Sequence, residues 1–128
     1  MFPALAFASM AGPALAEQVP VPSGQMVEFV DLIKDAEGTV ATVWRYRFVA
    51  PQIAREGGSV GVDAALADID AICAAFVLPR LAAAGNAPEQ VVISLSDRPV
   101  AFGAPVPEAT QYFEAYTIAA DECVWEGF

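Results

Sequence analysis

The residues of this chain that could do chemistry are few, and histidine is not among them. Without histidine the chain lacks the commonest general base, the Ser-His-Asp and Cys-His arrangements, and the nitrogen ligands of most zinc and copper sites. Catalysis would have to use carboxylates, hydroxyls or Lys34, the one lysine of the chain. We therefore expect no metal site and no cofactor.

Carboxylates stand close together in the chain at three places, namely Asp35 with Glu37, Asp68 with Asp70, and Asp121 with Glu122. Calcium loops and glycosidase sites need acids that converge from defined positions. None of the three spacings meets that requirement. Exposed surface charge is the interpretation that we favour for them.

A candidate binding site lies where a predicted strand ends, at Ser96, Asp97 and Arg98. Side chains converge where a strand passes into a loop, so these three could contact a ligand or a partner. The alternative is an Asp-capped turn with an arginine ion pair, which turn chemistry alone explains and which we favour.

A second candidate combines charge with aromatic side chains. If neighbouring strands align, Arg45 and Arg47 would form cross-strand pairs with Glu114 and Glu126 on the open face of a sheet. Tyr112, Tyr116 and Phe128 would then be aromatic anchors for a partner on that same face. The candidate binding residues are therefore Ser96, Asp97, Arg98, Glu114, Tyr116 and Glu126.

A long helix must position these residues, and its apolar spacing predicts it over Asp63–Ala84. Steps of three and four residues place one apolar stripe on it, formed by Leu66, Ile69, Ile72, Cys73, Phe76 and Val77. Asp63 is its predicted N-cap. Because Pro79 lacks an amide hydrogen, we expect a kink near Leu78 and a short last piece that ends at Gly85.

Strand signals lie on both sides of this helix. The predicted strands are Met26–Ile33, Thr39–Val49, Val91–Leu95, Gln111–Ile118 and Glu122–Phe128, with a tight turn at Ala119–Asp121. The order ββαβββ predicts an α+β domain with one kinked helix packed across a mainly antiparallel sheet of about five strands. Alternation along the second strand turns Trp44, Tyr46 and Phe48 toward the helix.

The first sixteen residues, Met1–Ala16, carry no charge and end in Ala-Leu-Ala, which is typical of a signal peptide cleaved after Ala16. The basic start of such a peptide is missing, so we expect the true start to lie upstream. Residues 17–25 are predicted to be an extended segment and residues 26–128 a single domain. An exported chain with Cys73 and Cys123 as its two cysteines predicts a structural disulfide, with a redox pair as the alternative.

The formal net charge is −10, from sixteen acids and six bases. Nucleic acid and anionic membranes need a basic patch, so we expect neither as a partner once the signal peptide is removed. The expected location is the periplasm or the extracellular space.

The C-terminal half resembles a family of small exported bacterial proteins of unknown function. The resemblance rests on Gly103 and on five runs, namely AIC at 71–73, LPRL at 78–81, VISLSDRP at 92–99, TQYFEAY at 110–116 and CVWEGF at 123–128. It implies export and the pairing of Cys73 with Cys123, and it implies no activity.

Two functions stay open at this point. The first is a non-enzymatic exported binding or interaction module, whose partner is a protein or a small ligand of the cell envelope. The second is a small carboxylate-based hydrolase or lyase that uses Asp97, Glu114 or Glu126 beside Arg98. The second requires two of these acids to meet in one concave pocket. A weaker third idea is an assembly or inhibitor protein that adds an edge strand to its partner.

Overall fold

The fold is given by a computed structural model, which describes residues 17–35 and 42–127. Parts of several predictions fall outside these residues. They concern the signal peptide Met1–Ala16, the first hairpin loop beyond Asp35 with its acid Glu37, the first residues of the predicted strand Thr39–Val49, and the aromatic anchor Phe128.

Six strands form one sheet in chain order, and they are β1 (Glu17–Gln18), β2 (Glu28–Lys34), β3 (Val43–Val49), β4 (Gln90–Ser96), β5 (Gln111–Ala119) and β6 (Glu122–Glu126). Strands β3 and β4 run parallel, and the other neighbouring pairs run antiparallel. The predicted α+β fold is confirmed. The strand beyond the expected five is the two-residue β1, which lies in the predicted extended segment.

The helix connects β3 to β4, and this crossover lets the two strands run parallel. It consists of α1 (Val62–Ile72), a wide π-helical turn (Cys73–Val77) and α2 (Leu78–Ala84). The N–H of Leu78 donates to the carbonyl of Cys73, and Pro79 follows in the first turn of α2. Because Pro79 has no N–H to donate, the regular ladder is interrupted where the kink was predicted.

Both ends of the helix follow from their residues, although one differs from the prediction. Gly85 ends α2 in the left-handed conformation with φ +75°, as a glycine cap should. The predicted N-cap was wrong, since Gly61 occupies that position and Asp63 lies in the first turn. A carboxylate in the first turn still interacts favourably with the helix dipole.

The core lies between the helix and one face of the sheet, which we call the helix face. The buried side chains of the central strands are Tyr46, Phe48, Val91, Ile93, Leu95 and Tyr116, and those of the helix are Ile69, Ile72, Phe76, Val77 and Leu81. A disulfide joins Cys73 to Cys123 of β6, with the two Cα atoms 6.3 Å apart. The predicted cysteine pairing is confirmed, and it ties the helix to an edge strand.

The β5–β6 hairpin has a two-residue turn rather than the predicted three-residue one. Ala119 pairs with Glu122, and Ala120 and Asp121 both have positive φ angles, of 52° and 60°. These angles match the twist of a tight two-residue hairpin turn, although neither turn residue is a glycine. A change of one residue in the turn reverses every face assignment along β5.

The segment before β2 is also fixed to the helix. Asp68 of α1 is fully buried, and its carboxylate accepts the backbone N–H of Ser23 at 2.9 Å and the Gln25 side-chain amide at 2.8 Å. It also accepts the Ser23 hydroxyl at 2.6 Å. Asp68 is therefore an internal bonding centre, contrary to its interpretation as surface charge.

Candidate functional site

The helix covers one face of the sheet, and the loop from residue 97 to residue 110 folds over part of the other, which we call the open face. Asp97 and Thr110 close this loop: the N–H of Asp97 donates to the carbonyl of Thr110, and the N–H of Thr110 donates to the Asp97 carboxylate, both at 3.0 Å. Arg55 donates to the carbonyls of Pro107 and Ala109. A loop tied at its base in this way can present a defined surface.

Asp97, Arg98 and Ser96 meet as the favoured turn interpretation predicts. Arg98 donates to both oxygens of the buried Asp97 carboxylate, at 3.1 and 2.9 Å, and the Ser96 hydroxyl donates to the carbonyl of Arg98 at 2.7 Å. The Arg98 guanidinium holds the pKa of Asp97 below its ordinary value. These contacts give Asp97 a structural role at the base of the loop.

A groove of about 830 Å³ lies between this loop and the open face. Its volume is within the range of small-ligand sites, roughly 300 to 1,000 Å³. Strands β2 to β5 form the floor, whose open-face side chains are Asp31, Arg47, Ser94, Ser96, Gln111 and Phe113. The loop contributes the wall, which includes Arg98, Val100 and Phe102.

Two ion pairs stand at the floor of this groove and beside it. Arg47 contacts Asp31 at 3.1 Å and also donates to the carbonyl of Val100 in the loop. Arg45 contacts Asp35 at 2.9 Å, and that guanidinium lowers the pKa of the Asp35 carboxyl. The groove therefore has polar groups already held in place by neighbouring charges.

Two phenylalanine rings at the groove are exposed. Phe102 and Phe113 are 58% and 57% accessible, although both are large apolar side chains. The guanidinium carbons of Arg45 and Arg47 each lie 5.8 Å from the centre of the Phe102 ring. Exposed rings beside arginines are the composition that binding surfaces favour.

The predicted pairing of Arg45 and Arg47 with Glu114 and Glu126 was wrong. The two arginines bond to aspartates on β2 and just after it, as described above. Glu114 lies on the helix face, where it accepts the indole N–H of Trp125. Glu126 lies on the open face and accepts from Gln90 at 2.6 Å and from Thr117.

The predicted aromatic anchors were placed on the wrong face. Tyr112 and Tyr116 lie on the helix face, because they are in register with Leu95 and Val91 of β4. Tyr116 is 2% accessible and donates its hydroxyl to Asp70, and burial raises the pKa of this phenol. The shorter turn explains both errors, since it puts Phe113 where Tyr112 and Tyr116 were expected.

The acids of the hydrolase or lyase hypothesis do not meet. Asp97 is buried at the loop base, and Glu114 and Glu126 lie on opposite faces of the sheet. Asp97, Glu114 and Glu126 are all described by the structure, and none of the three lines the groove. Within residues 17–35 and 42–127, no cluster of three or more acids or cysteines is arranged to hold a metal ion.

Sequence reasoning missed the groove residues Arg47, Phe102 and Phe113 as a group. The signal for Arg47 was present in the alternation of β3. Phe102 lies near Arg47 because the loop folds back over the sheet, and Phe113 lies near it because the β5–β6 turn has two residues. No local sequence pattern encoded either feature.

A second cavity, of about 650 Å³, lies between α2 and the β5–β6 turn. Its lining is mainly small and aliphatic, and it includes Ala74, Leu78, Pro79, Leu81, Ala82 and Ile118. It has neither the aromatic rings nor the arginines of the first groove. The open-face groove is therefore the better candidate site.

Comparisons with known proteins add a family and no activity. The family described as "Family of unknown function (DUF6497)" matches residues 4–128. No curated protein and no solved structure matches the chain. In the part of the chain that the structure describes, no helix combines the length and apolar character needed to cross a membrane.

Proposed function

We propose that this chain, which belongs to the DUF6497 family of unknown function, is an exported binding module without enzymatic activity. Its ligand would lie in the open-face groove and be a protein segment or a small molecule of a bacterial cell envelope. The observation that carries the proposal is the exposure of Phe102 and Phe113 on a groove with a fixed polar floor. Exposed apolar side chains grouped in this way mark interaction sites.

The rest of the fold supports binding rather than turnover. The loop that forms the groove wall is tied at its base by Asp97 and Arg55, and Arg47 ties its middle to the sheet. A site that is already formed loses little entropy when its ligand binds. Asp97, Glu114 and Glu126, the acids named for the hydrolase or lyase alternative, do not share one pocket, so the binding module is the function that we favour.

A binding screen followed by a matched pair of variants tests this proposal. In an ¹⁵N-labelled sample, we expect a library of small molecules, short peptides and oligosaccharides to shift the backbone amides around Ser94, Phe102 and Phe113. Phe113→Ala should weaken a ligand found in this way by at least about tenfold, because it removes an exposed contact ring.

Trp125→Ala is the matched control, since Trp125 is 59% exposed and lies on the helix face. It should change the affinity by less than about twofold. Ligands that respond to Trp125→Ala and ignore Phe113→Ala would refute the open-face site.

Export completes the proposal and has its own support. The disulfide between Cys73 and Cys123 suits an oxidising compartment such as the periplasm or the extracellular space. The uncharged run Met1–Ala16 would act as the signal peptide and residues 26–128 as the single mature domain.

The mass of the mature protein checks this export. We expect protein recovered from the periplasm of an exporting bacterium to begin at Glu17 and to carry an oxidised cysteine pair. Full-length protein that stays in the cytoplasm would contradict the export proposal.

A further inference from the structure

The charges around the groove are balanced, and this balance limits the kind of ligand that fits. Three of the six basic residues of the chain, Arg45, Arg47 and Arg98, lie at the groove or beside it. Each is paired with an aspartate at 2.9 to 3.1 Å. Because each guanidinium is already bonded to a carboxylate, an anionic ligand finds no uncompensated cation here and is repelled by the net charge of −10. A cationic ligand would meet Arg47 and Arg98, which line the groove together with Asp31.

The same groove offers hydrogen-bond donors and acceptors side by side. The Arg47 guanidinium, the Ser94 hydroxyl and the Gln111 amide can donate, and the Asp31 carboxylate, which is 44% exposed, can accept. A hydroxyl group both donates and accepts, so a ligand rich in hydroxyls can use both kinds of partner. A ligand with acceptors alone would add no donor to the Asp31 carboxylate beyond the bond from Arg47.

The exposed rings provide the remaining contact. Phe102 and Phe113 present apolar surfaces next to this polar floor. A pyranose ring has a face of C–H groups that packs on such a surface, while its hydroxyls point to the sides. This combination of an apolar face and a polar edge matches the lining of the groove.

Building on the binding function proposed above, we infer that the ligand of the open-face groove is a neutral glycan, held by hydrogen bonds at Arg47, Ser94 and Asp31 and by packing on Phe102 and Phe113. The arginines and aspartates of the site balance each other in charge, and this suits a ligand that carries no charge. A neutral polysaccharide of the cell envelope or its surroundings is the chemical class that this site would take.

Titration of the oxidised, ¹⁵N-labelled protein with matched tetrasaccharides tests the inference. The neutral probes are cellotetraose, xylotetraose and the tetramer of N-acetylglucosamine, and the anionic probe is tetragalacturonate. We expect at least one neutral probe to shift the amides near Ser94, Phe102 and Phe113, and tetragalacturonate to bind at least tenfold more weakly. Phe113→Ala should reduce the neutral affinity by at least tenfold, and Trp125→Ala by less than twofold.

A second variant isolates the charge balance. Asp31→Asn keeps the side-chain shape and leaves Arg47 with less compensating charge, so it should narrow or reverse the preference for the neutral probe over tetragalacturonate. Amide shifts in the groove from peptides or anions alone would overturn the glycan inference and leave the binding function standing. If no ligand class shifts the groove amides, the binding function is overturned as well.

Discussion

Removal of the Cys73–Cys123 disulfide is expected to lower the free energy of unfolding by about 4 kcal/mol. The bond closes a loop with a sequence separation of 50 residues, and opening it restores that conformational freedom to the unfolded chain. In a domain of this size the loss corresponds to a fall in melting temperature of roughly 15 °C. Urea unfolding of the Cys73→Ala/Cys123→Ala variant, compared with the oxidised protein, measures it.

The structure also predicts which strand loses local stability first when the disulfide is removed. Cys123 lies on β6, an edge strand that pairs only with β5 in the described sheet. Without the disulfide, the amides of β6 should exchange with solvent faster than those of the central strand β4. The reduced wild-type protein is the control, and it should match the double variant to within about 1 kcal/mol. A loss below about 1 kcal/mol would show that this bond is not the main brace of the helix.

Substitution of Asp68 is expected to have the second largest effect, a loss of about 3 kcal/mol for Asp68→Ala. The variant would leave three donors on Ser23 and Gln25 without their acceptor, a carboxylate that is itself fully buried. Hydrogen bonds to a charged acceptor are stronger than neutral ones, and the variant loses three of them together. Thermal and urea unfolding of the variant measure the loss.

Asp63→Ala is the matched control, because Asp63 is exposed and lies on the same helix. It should cost less than about 1 kcal/mol, the size of a helix-dipole contribution. Hydrogen exchange locates the effect: Asp68→Ala should speed the exchange of amides from Val19 to Val27, which the carboxylate ties to α1. Equal losses from the two aspartates would contradict the bonding role of Asp68.

The elements that local chemistry encodes could be predicted from the sequence. The helix has an apolar stripe, a proline at its interruption and a glycine at its end, and each feature acts within a few residues. Alternation in β3 correctly turned Trp44, Tyr46 and Phe48 toward the helix. The cysteine pair could be predicted because only one pairing exists within the chain.

Only part of the candidate site could be predicted: Ser96 and Arg98, which were predicted binding residues, line the groove. The rest depends on contacts between distant residues. Arg47 reaches Asp31 and Val100, which are 16 and 53 residues away in the chain. No periodicity links such residues. From the sequence we expected Glu114 and Glu126 to pair with the two arginines of β3. In the structure their partners are Asp31 and Asp35 of the first hairpin.

The assignment of β5 side chains to the two faces of the sheet is a separate case, since it depends on one residue more or less in the β5–β6 turn. A three-residue turn at Ala119–Asp121 places Tyr116 on the open face, and the observed two-residue turn places it in the core. Tight turns of this kind favour glycine or asparagine, and Ala120 and Asp121 gave only a weak signal. The exposed ring of Phe113 on the open face follows from this register.

The central claim is that the helix and its disulfide cover one face of the sheet and leave the other face to bind. The most direct measurement is a map of intermolecular nuclear Overhauser contacts between a bound ligand and the oxidised protein. We predict contacts from the ligand to the rings of Phe102 and Phe113 and to the side chains that line the open-face groove. Contacts confined to the helix, to Trp125 or to the cavity beside α2 would contradict it.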